Sequence, residues 1–159
     1  MFEWLTGTAA GKFLTTFFIS MVPVVELRAG LPYGIALGLE YPLALCASVL
    51  GNMLPVPFII IFIEGIFAWL RQHIPAMNNF ICKMENRAIS KRETVDKYGP
   101  LALLLFVAIP APGTGAWTGS LIAALLNIPP KKAIPCILLG VFIASMIMTA
   151  ITFGVIEIF

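Results

Sequence analysis

The chain has 159 residues, of which 60% are hydrophobic and only 11% are charged, and its net charge is +2. Soluble domains carry roughly 45–50% apolar and about 25% charged residues, and a domain this small cannot bury so much apolar surface. Composition therefore excludes a soluble enzyme, a nucleic-acid-binding protein and a disordered tail. It predicts an all-α, polytopic integral membrane protein with one membrane domain, residues 1–159. Three cysteines without metal-ligand spacing and a single histidine give no reason to expect a metal or a cofactor.

The first apolar stretch, residues 12–38, is interrupted at its centre. Pro23, Glu26, Arg28 and Pro32 fall where a spanning helix needs apolar residues, and proline removes a backbone donor and clashes with the preceding turn. The half-helix before Pro23 would rise about 16 Å, half of a bilayer. Because irregular backbone at that depth must be covered by protein or line a wet cavity, we predict a re-entrant hairpin.

The second apolar stretch, residues 42–70, is predicted to be a helix that crosses the membrane and bends at Pro55 and Pro57. Asn52 is polar and lies near the middle of this helix. It has two possible roles, an interhelical hydrogen bond or a place on the substrate pathway.

The segment 71–97 separates the two apolar halves and carries nine of the 18 charged residues. Apolar residues recur among the charges (Met77, Phe80, Ile81, Met84, Ile89 and Val95). The pattern predicts an amphipathic helix from Ala76 to Asp96 on the cytoplasmic membrane interface. A solvated linker helix is the alternative.

The third apolar stretch, residues 99–127, is broken like the first. Pro110, Pro112 and Gly113 stop a helix within a few residues, so we predict a second re-entrant hairpin. The fourth stretch, residues 133–157, is long enough to cross the membrane once.

The two halves match at an offset of 89 residues, which aligns Pro23 with Pro112, Gly30 with Gly119 and Gly51 with Gly140. This indicates an internal repeat: repeat one covers 12–70, and repeat two covers 98–157. A hairpin returns to its own side and a helix crosses once, so each unit crosses an odd number of times. The second unit is therefore inverted, as in transporters whose broken helices meet at the midplane.

Charge supports this topology. The segments 71–97 and 128–132 together hold eight of the ten lysines and arginines, which places both in the cytoplasm by the positive-inside rule. Both termini then lie on the outer side of the cell membrane, opposite the cytoplasm. A model with four simple spans would put Lys131 and Lys132 on the opposite side from the basic segment.

Glu26 and Arg28 are the charged residues that lie deepest in an apolar stretch, and such residues mark functional sites by default. Arg28 lies at the start of the second half-helix of the first hairpin. Gly115 and Thr114, a candidate N-cap, lie at the start of the second half-helix of the second hairpin. Helix N-termini carry partial positive charge, so the two ends and Arg28 predict a pocket for an anion, with Glu26 as the proton carrier. A buried pair that only fixes the hairpin is the alternative.

Two further residues complete the predicted substrate site. Trp117 follows the second break and is aligned with Arg28, so it either walls the pocket or packs in the bundle. Asn52 is the other candidate substrate contact. We assign no catalytic residue, because the apolar stretches contain no His-Asp, Ser-His or paired-carboxylate set.

The runs PVVELRAGLP at 23–32 and PAPGTGAWTG at 110–119 resemble the putative small multidrug export protein family over essentially the whole chain. That family in turn resembles the DedA/VTT membrane superfamily, which has two re-entrant hairpins with an acidic residue in the first and arginines near the second. The resemblance implies a proton-linked transporter or lipid translocase, with the acidic position at Glu26. Residues 110–119 contain no arginine here.

These observations lead to one main functional hypothesis and two alternatives. The main hypothesis is proton-linked transport or flipping of an amphiphilic, anionic substrate such as a lipid phosphate. One alternative is proton-coupled export of lipophilic cationic drugs, with Glu26 as counter-charge, and the other is an intramembrane enzyme or structural protein. We expect membrane lipids, protons, a small amphiphile and a second copy of the chain as partners, with the homodimer packed on faces of small residues.

Overall fold

The computed structural model describes residues 7–23, 25–111 and 113–158, with side chains up to residue 154. The predicted break residue Pro112 and the C-terminal Phe159 lie outside the described residues. Within those ranges every regular element is a helix and there is no strand. The helices are α1 (Ala9–Met21), α2 (Glu26–Ala36), α3 (Tyr41–Met53), α4 (Pro55–His73), α5 (Asn78–Ile89), α6 (Arg92–Tyr98), α7 (Leu101–Ala108), α8 (Ala116–Leu125) and α9 (Pro130–Ile158).

The first broken stretch folds as two antiparallel helices, α1 and α2. Lys12 Nζ lies 3.5 Å from the carbonyl of Gly38 at one end of the pair, and Ser20 packs against Gly30 near the other. The hydroxyl of Ser20 donates to the carbonyl of Thr16 in its own helix, at 2.8 Å. This bond satisfies the hydroxyl, so the seam between the two helices can be buried.

The position of Pro32 differs from the prediction. The chain turns between Met21 and Glu26, whereas Pro32, expected at the break, lies inside α2. A proline blocks only the bond to the carbonyl four residues earlier, which here belongs to Arg28 in the first turn of α2. The helix therefore loses one hydrogen bond near its start and continues.

The two long apolar segments form the longest helices. Residues Tyr41–His73 form a nearly continuous helix of 33 residues, interrupted only at Leu54, where Pro55 removes a donor. Within α9, residues Pro130–Gly154 form a second apolar segment, of 25 residues. Both are long and apolar enough to cross a membrane, and 28% of the apolar window of each is buried in the protein. Most of their surface therefore faces outward, as for helices whose solvent is lipid.

Each long helix packs closely on the first helix of one broken pair. Gly51 of α3 lies against the backbone carbonyl of Phe17 in α1, where a β-carbon has no room. Gly140 of α9 lies against the carbonyl of Leu104 and the side chain of Val107 in α7. Small residues at these points allow the backbones to approach closely.

The charged middle segment forms one turn of 3-10 helix, Pro75–Met77, and two α-helices, and the prediction of one helix from Ala76 to Asp96 is corrected. The chain leaves α5 at Ile89 and starts α6 at Arg92. Ile81, Ala88 and Val95 are buried against the bundle. They recur every seven residues and give the segment one apolar side, which packs on protein.

Candidate functional site

The two breaks lie next to each other, and Arg28 bonds directly to the second one. Its Nη1 donates to the carbonyl of Ala111 at 2.7 Å, and its Nη2 lies 3.3 Å from the carbonyl of Ile109 and 2.5 Å from Thr114 Oγ1. A helix leaves its last carbonyl groups without intrahelical donors, and α7 ends at Ala108. The guanidinium donates in a planar fork to the carbonyl of Ile109, the C-cap residue of α7, and to the carbonyl of Ala111 in the break that follows it.

Trp117 makes the reciprocal contact with the first break. Its indole Nε1 donates to the carbonyl of Met21, the last residue of α1, at 3.1 Å. Each break is therefore held by a side chain from the helix that follows the other break. The indole is absent from the lining of the cavity described below, so Trp117 joins the two breaks and does not wall that cavity.

The side chain of Glu26, the first residue of α2, lies at the N-terminus of α8. This side chain is buried, with only 3% of the residue exposed, and its Oε1 accepts the backbone N–H of Trp117 at 3.1 Å. The helix dipole and the unpaired N–H groups of the first turn favour a negative charge at this point. At this helix end, where we predicted a site for an anion, the structure places a carboxylate of the protein itself.

The close contact between Glu26 and α8 depends on Gly115. A β-carbon at this position would collide with the Glu26 carboxylate, and the backbone φ of +125° is one that side-chain-bearing residues rarely adopt. Glu26 itself has a φ of +50°, which is uncommon for a residue other than glycine. The backbone on both sides of the contact is thus held in an unusual conformation.

Thr114 does not cap α8, and this prediction is wrong. The N-cap residue is Gly115, and the Thr114 hydroxyl turns back to the break. There it lies 2.6 Å from the carbonyl of Ile109 and 2.7 Å from that of Ala111. The carboxylate of Glu26 meets the first turn of α8 instead, so Thr114 is free to order the break together with Arg28.

A small cavity of about 10 Å³ lies between these groups. Its polar lining consists of Glu26, Arg28 and Asn52, and the rest is apolar or glycine (Leu27, Val107, Gly115, Ala116, Val141 and Ala144). A cavity of that size admits roughly one water molecule. Arg28 is the single positively charged residue that lines it among the described residues.

Asn52 contributes an unpaired acceptor to the cavity. The residue is 3% exposed, and its Oδ1 has no hydrogen-bond partner within the described part of the chain. A buried acceptor without a donor is costly in apolar surroundings. Asn52 and Glu26 line the same cavity.

Glu26 and Arg28 share this cavity but do not form an ion pair within 4 Å in the described structure. Each is bonded to the second break, the carboxylate to its N–H side and the guanidinium to its carbonyl side. Of the other predicted site residues, Pro23, Pro110 and Gly113 lie in the turns beside these contacts.

Three backbone groups of the site were not predicted from the sequence: the carbonyls of Met21, Ile109 and Ala111. A signal for them was present, because any helix that stops inside a membrane leaves carbonyl groups that need donors. Arg28 and Trp117 are the long donors closest to the breaks in the two aligned halves.

Comparison with known protein families gives a match over most of the chain. Residues 26–147 match the model of the family described as "Putative small multi-drug export protein". The matched segment begins at Glu26 and includes Asn52, the second break and most of α9. No curated protein and no solved structure matches the chain.

Proposed function

This chain belongs to the family of putative small multi-drug export proteins, and from that premise we propose that it is a membrane transporter whose substrate site lies where the two breaks meet. The observation that carries the proposal is the buried Glu26 carboxylate on the N-terminus of α8, beside Arg28 and a cavity. Ionisable groups inside apolar helices mark substrate or proton pathways. Broken helices whose N-termini point into the membrane provide the matching charge.

We propose that the architecture is two inverted repeats, each a re-entrant hairpin followed by a spanning helix. The offset of 89 residues relates Tyr41, where α3 begins, to Pro130, where α9 begins. It also relates Gly51, packed on the α1 backbone, to Gly140, packed on the α7 backbone. Helices that start and pack at equivalent positions support a repeat.

Contacts between equivalent residues support a two-fold relation between the repeats. The offset relates Glu26 to Gly115, and these two residues touch. It relates Arg28 to Trp117, and each of them bonds to the break of the other repeat. Reciprocal contacts of this kind are the property of a two-fold interface, and a residue meets its own equivalent only on the axis. The candidate site would then lie on that axis, at the membrane midplane.

We propose an anionic amphiphile, such as a lipid phosphate, as the substrate and a proton as the coupled ion. The first turn of α8 already binds a carboxylate, which supports its capacity for an anion. Arg28 adds a full positive charge to the same cavity. Protonation of Glu26 would remove the competing negative charge, so the proton and the anion would bind together.

Export of lipophilic cations is the second candidate. Arg28 donates two hydrogen bonds to backbone carbonyls of the second break, so these donors are already used within the protein and not by an anion. The family's description is that of a multi-drug exporter. In this alternative the Glu26 carboxylate is the counter-charge of the cation. The substrate would then compete with the N–H group of Trp117 for the carboxylate.

Binding to the purified protein in lipid nanodiscs separates the two candidates, with a polyprenyl phosphate and tetraphenylphosphonium as probes. For an anion transporter, Glu26→Gln keeps or strengthens phosphate-lipid binding and stops transport in proteoliposomes, because the proton can no longer leave. Arg28→Gln, which removes the charge but keeps an N–H donor, weakens phosphate-lipid binding about tenfold or more. Glu64→Gln is the matched control, because Glu64 is an exposed carboxyl group on α4 that does not line this cavity. Cation binding that is lost in Glu26→Gln and strengthened in Arg28→Gln would replace the anion proposal with drug export.

We further propose that the protein resides in the cytoplasmic membrane with the segment 71–97 inside and both termini outside. The segment carries most of the basic residues, which supports this orientation. A homodimer is the proposed assembly. One copy forms a small bundle, and its cavity of about 10 Å³ is too small to enclose an amphiphilic substrate. Cross-linking in native membranes tests the dimer.

A further inference from the structure

The Glu26 carboxylate and the Asn52 amide face the same small cavity but are not equivalent in their bonding. Glu26 Oε1 accepts the backbone N–H of Trp117 at 3.1 Å. Asn52 Oδ1 is buried and has no donor in the described structure. One acceptor is satisfied and the other is not, in a space that admits roughly one water molecule.

Protonation of Glu26 adds a hydrogen-bond donor to the cavity and makes the carboxyl group a weaker acceptor for the N–H groups of α8. A carboxylate only accepts hydrogen bonds, whereas a carboxylic acid also has one O–H to donate. The N–H of Trp117 cannot receive that hydrogen, because it is itself a donor. Asn52 Oδ1 is the unpaired buried acceptor that lines the same cavity.

We propose that Asn52 receives the protonated form of Glu26, so that the two residues form a switch that opens the N-terminus of α8 to the substrate's anionic group. In the ionised state, Glu26 binds the first turn of α8 and excludes the substrate. In the protonated state, its O–H donates to Asn52 Oδ1 across the cavity, directly or through one water, and the N–H groups of α8 bind the substrate anion. When the anion leaves, the proton leaves Glu26 and the carboxylate returns to α8. This inference rests on the proposed function, and it assigns Asn52 the role of a positioning residue for the proton.

The charged surroundings of Glu26 are simple, which makes the switch testable. Arg28 from α2 is the one other charged residue that lines the cavity, within the part of the chain that the structure describes. The lining residues from α3, α7, α8 and α9 are neutral, with Asn52 from α3 the one polar side chain among them. A change in Asn52 therefore acts on Glu26 without altering any charge.

The test compares wild type with Asn52→Leu, which keeps the approximate size of the side chain and removes the acceptor. Ser48→Ala is the matched control: Ser48 lies one turn earlier in α3 and is also buried with an unpaired oxygen, but it does not line the cavity. The probe is an alkyl sulfonate, whose charge does not change between mildly acidic and mildly alkaline buffer. Wild type and Ser48→Ala should bind the probe more tightly in acid. Asn52→Leu should lose roughly threefold to tenfold of that acid advantage and bind as wild type in alkali, the effect expected for one lost buried hydrogen bond.

Infrared spectroscopy supplies a second readout that does not depend on the substrate. The C=O stretching band of protonated Glu26 is identified by its absence from Glu26→Gln, and in Asn52→Leu it should move to higher frequency because the acid loses its acceptor. An unchanged band together with wild-type pH dependence in Asn52→Leu would overturn the switch while leaving the proposed transport function intact. A shifted band in a protein that binds no sulfonate at any pH would support the Glu26–Asn52 pairing and reject the anionic substrate. Absence of a protonated Glu26 band in acid would overturn the switch outright.

Discussion

Glu26 and Gly115 are 89 residues apart in the chain, yet the carboxylate of one lies against the α-carbon of the other. The contact exists because Gly115 has no side chain, and it brings Glu26 within hydrogen-bond distance of the Trp117 N–H. Under the proposed repeat these two residues occupy the same position in the two halves. The first half supplies the negatively charged carboxylate of Glu26. The second half supplies the room for it at Gly115 and the N–H donor of Trp117.

Replacing Gly115 with alanine should destabilise the protein and displace Glu26. The new methyl group would collide with the carboxylate, and a φ of +125° costs about 1–3 kcal/mol for a residue with a side chain. Thermal unfolding in detergent measures the effect. Gly65→Ala is the control, because Gly65 is helical with open space at its β position and should be neutral or slightly stabilised. Equal melting temperatures for the two variants would contradict the tight contact.

Arg28→Lys should weaken the second break although it keeps the positive charge. A lysine ammonium cannot reproduce the planar fork that reaches Ala111, Ile109 and Thr114. We expect a loss of about 1.5–3 kcal/mol, as for hydrogen bonds to a charged group, measured by unfolding and by transport. Arg92→Lys, in an exposed pair with Asp96, should change neither quantity. Wild-type stability in Arg28→Lys would show that charge alone suffices.

Shortening the side chain of Ile81 to alanine should weaken the packing of the middle segment, residues 71–97, on the bundle. Ile81 is completely buried among Ile59, Phe67 and Leu121, so Ile81→Ala should cost about 2–5 kcal/mol. Ile89 in the same helix is 54% exposed, and Ile89→Ala should cost much less. Limited trypsin digestion at the lysines and arginines of the segment reports the release. Equal digestion of the two variants would argue for a segment that does not dock on the protein.

The proposed topology predicts which sites are labelled from each side of the membrane. With Cys46, Cys82 and Cys136 replaced by alanine, Arg87→Cys and Lys131→Cys should react with an impermeant thiol reagent from the cytoplasm. Glu40→Cys should react from the outside. If Lys131→Cys reacts from the outside instead, the chain crosses four times and the inverted repeat is excluded.

The elements of the fold follow from local sequence to a large extent. Helices end where prolines and glycines remove donors or free the backbone, so the breaks after Met21 and Ala108 are visible in the chain itself. Pro32 is the exception, because one proline near a helix start removes a single bond and the helix continues. The docking of α5 and α6 was not predicted, since an apolar face looks the same whether lipid or protein covers it.

By itself, the sequence determined that this protein is helical, that its helices suit a membrane, and that Glu26, Arg28 and Asn52 are polar groups in apolar surroundings, because composition and hydrogen-bond geometry act over a few residues. Only the tertiary structure decided their partners. Arg28 bonds to carbonyls 81 and 83 residues away, and Glu26 to an N–H 91 residues away. Backbone carbonyls and N–H groups are the same at every residue, so sequence cannot distinguish the ones at this site. Packing selects them, because it brings the two helix ends beside each other and places the donors of one next to the acceptors of the other.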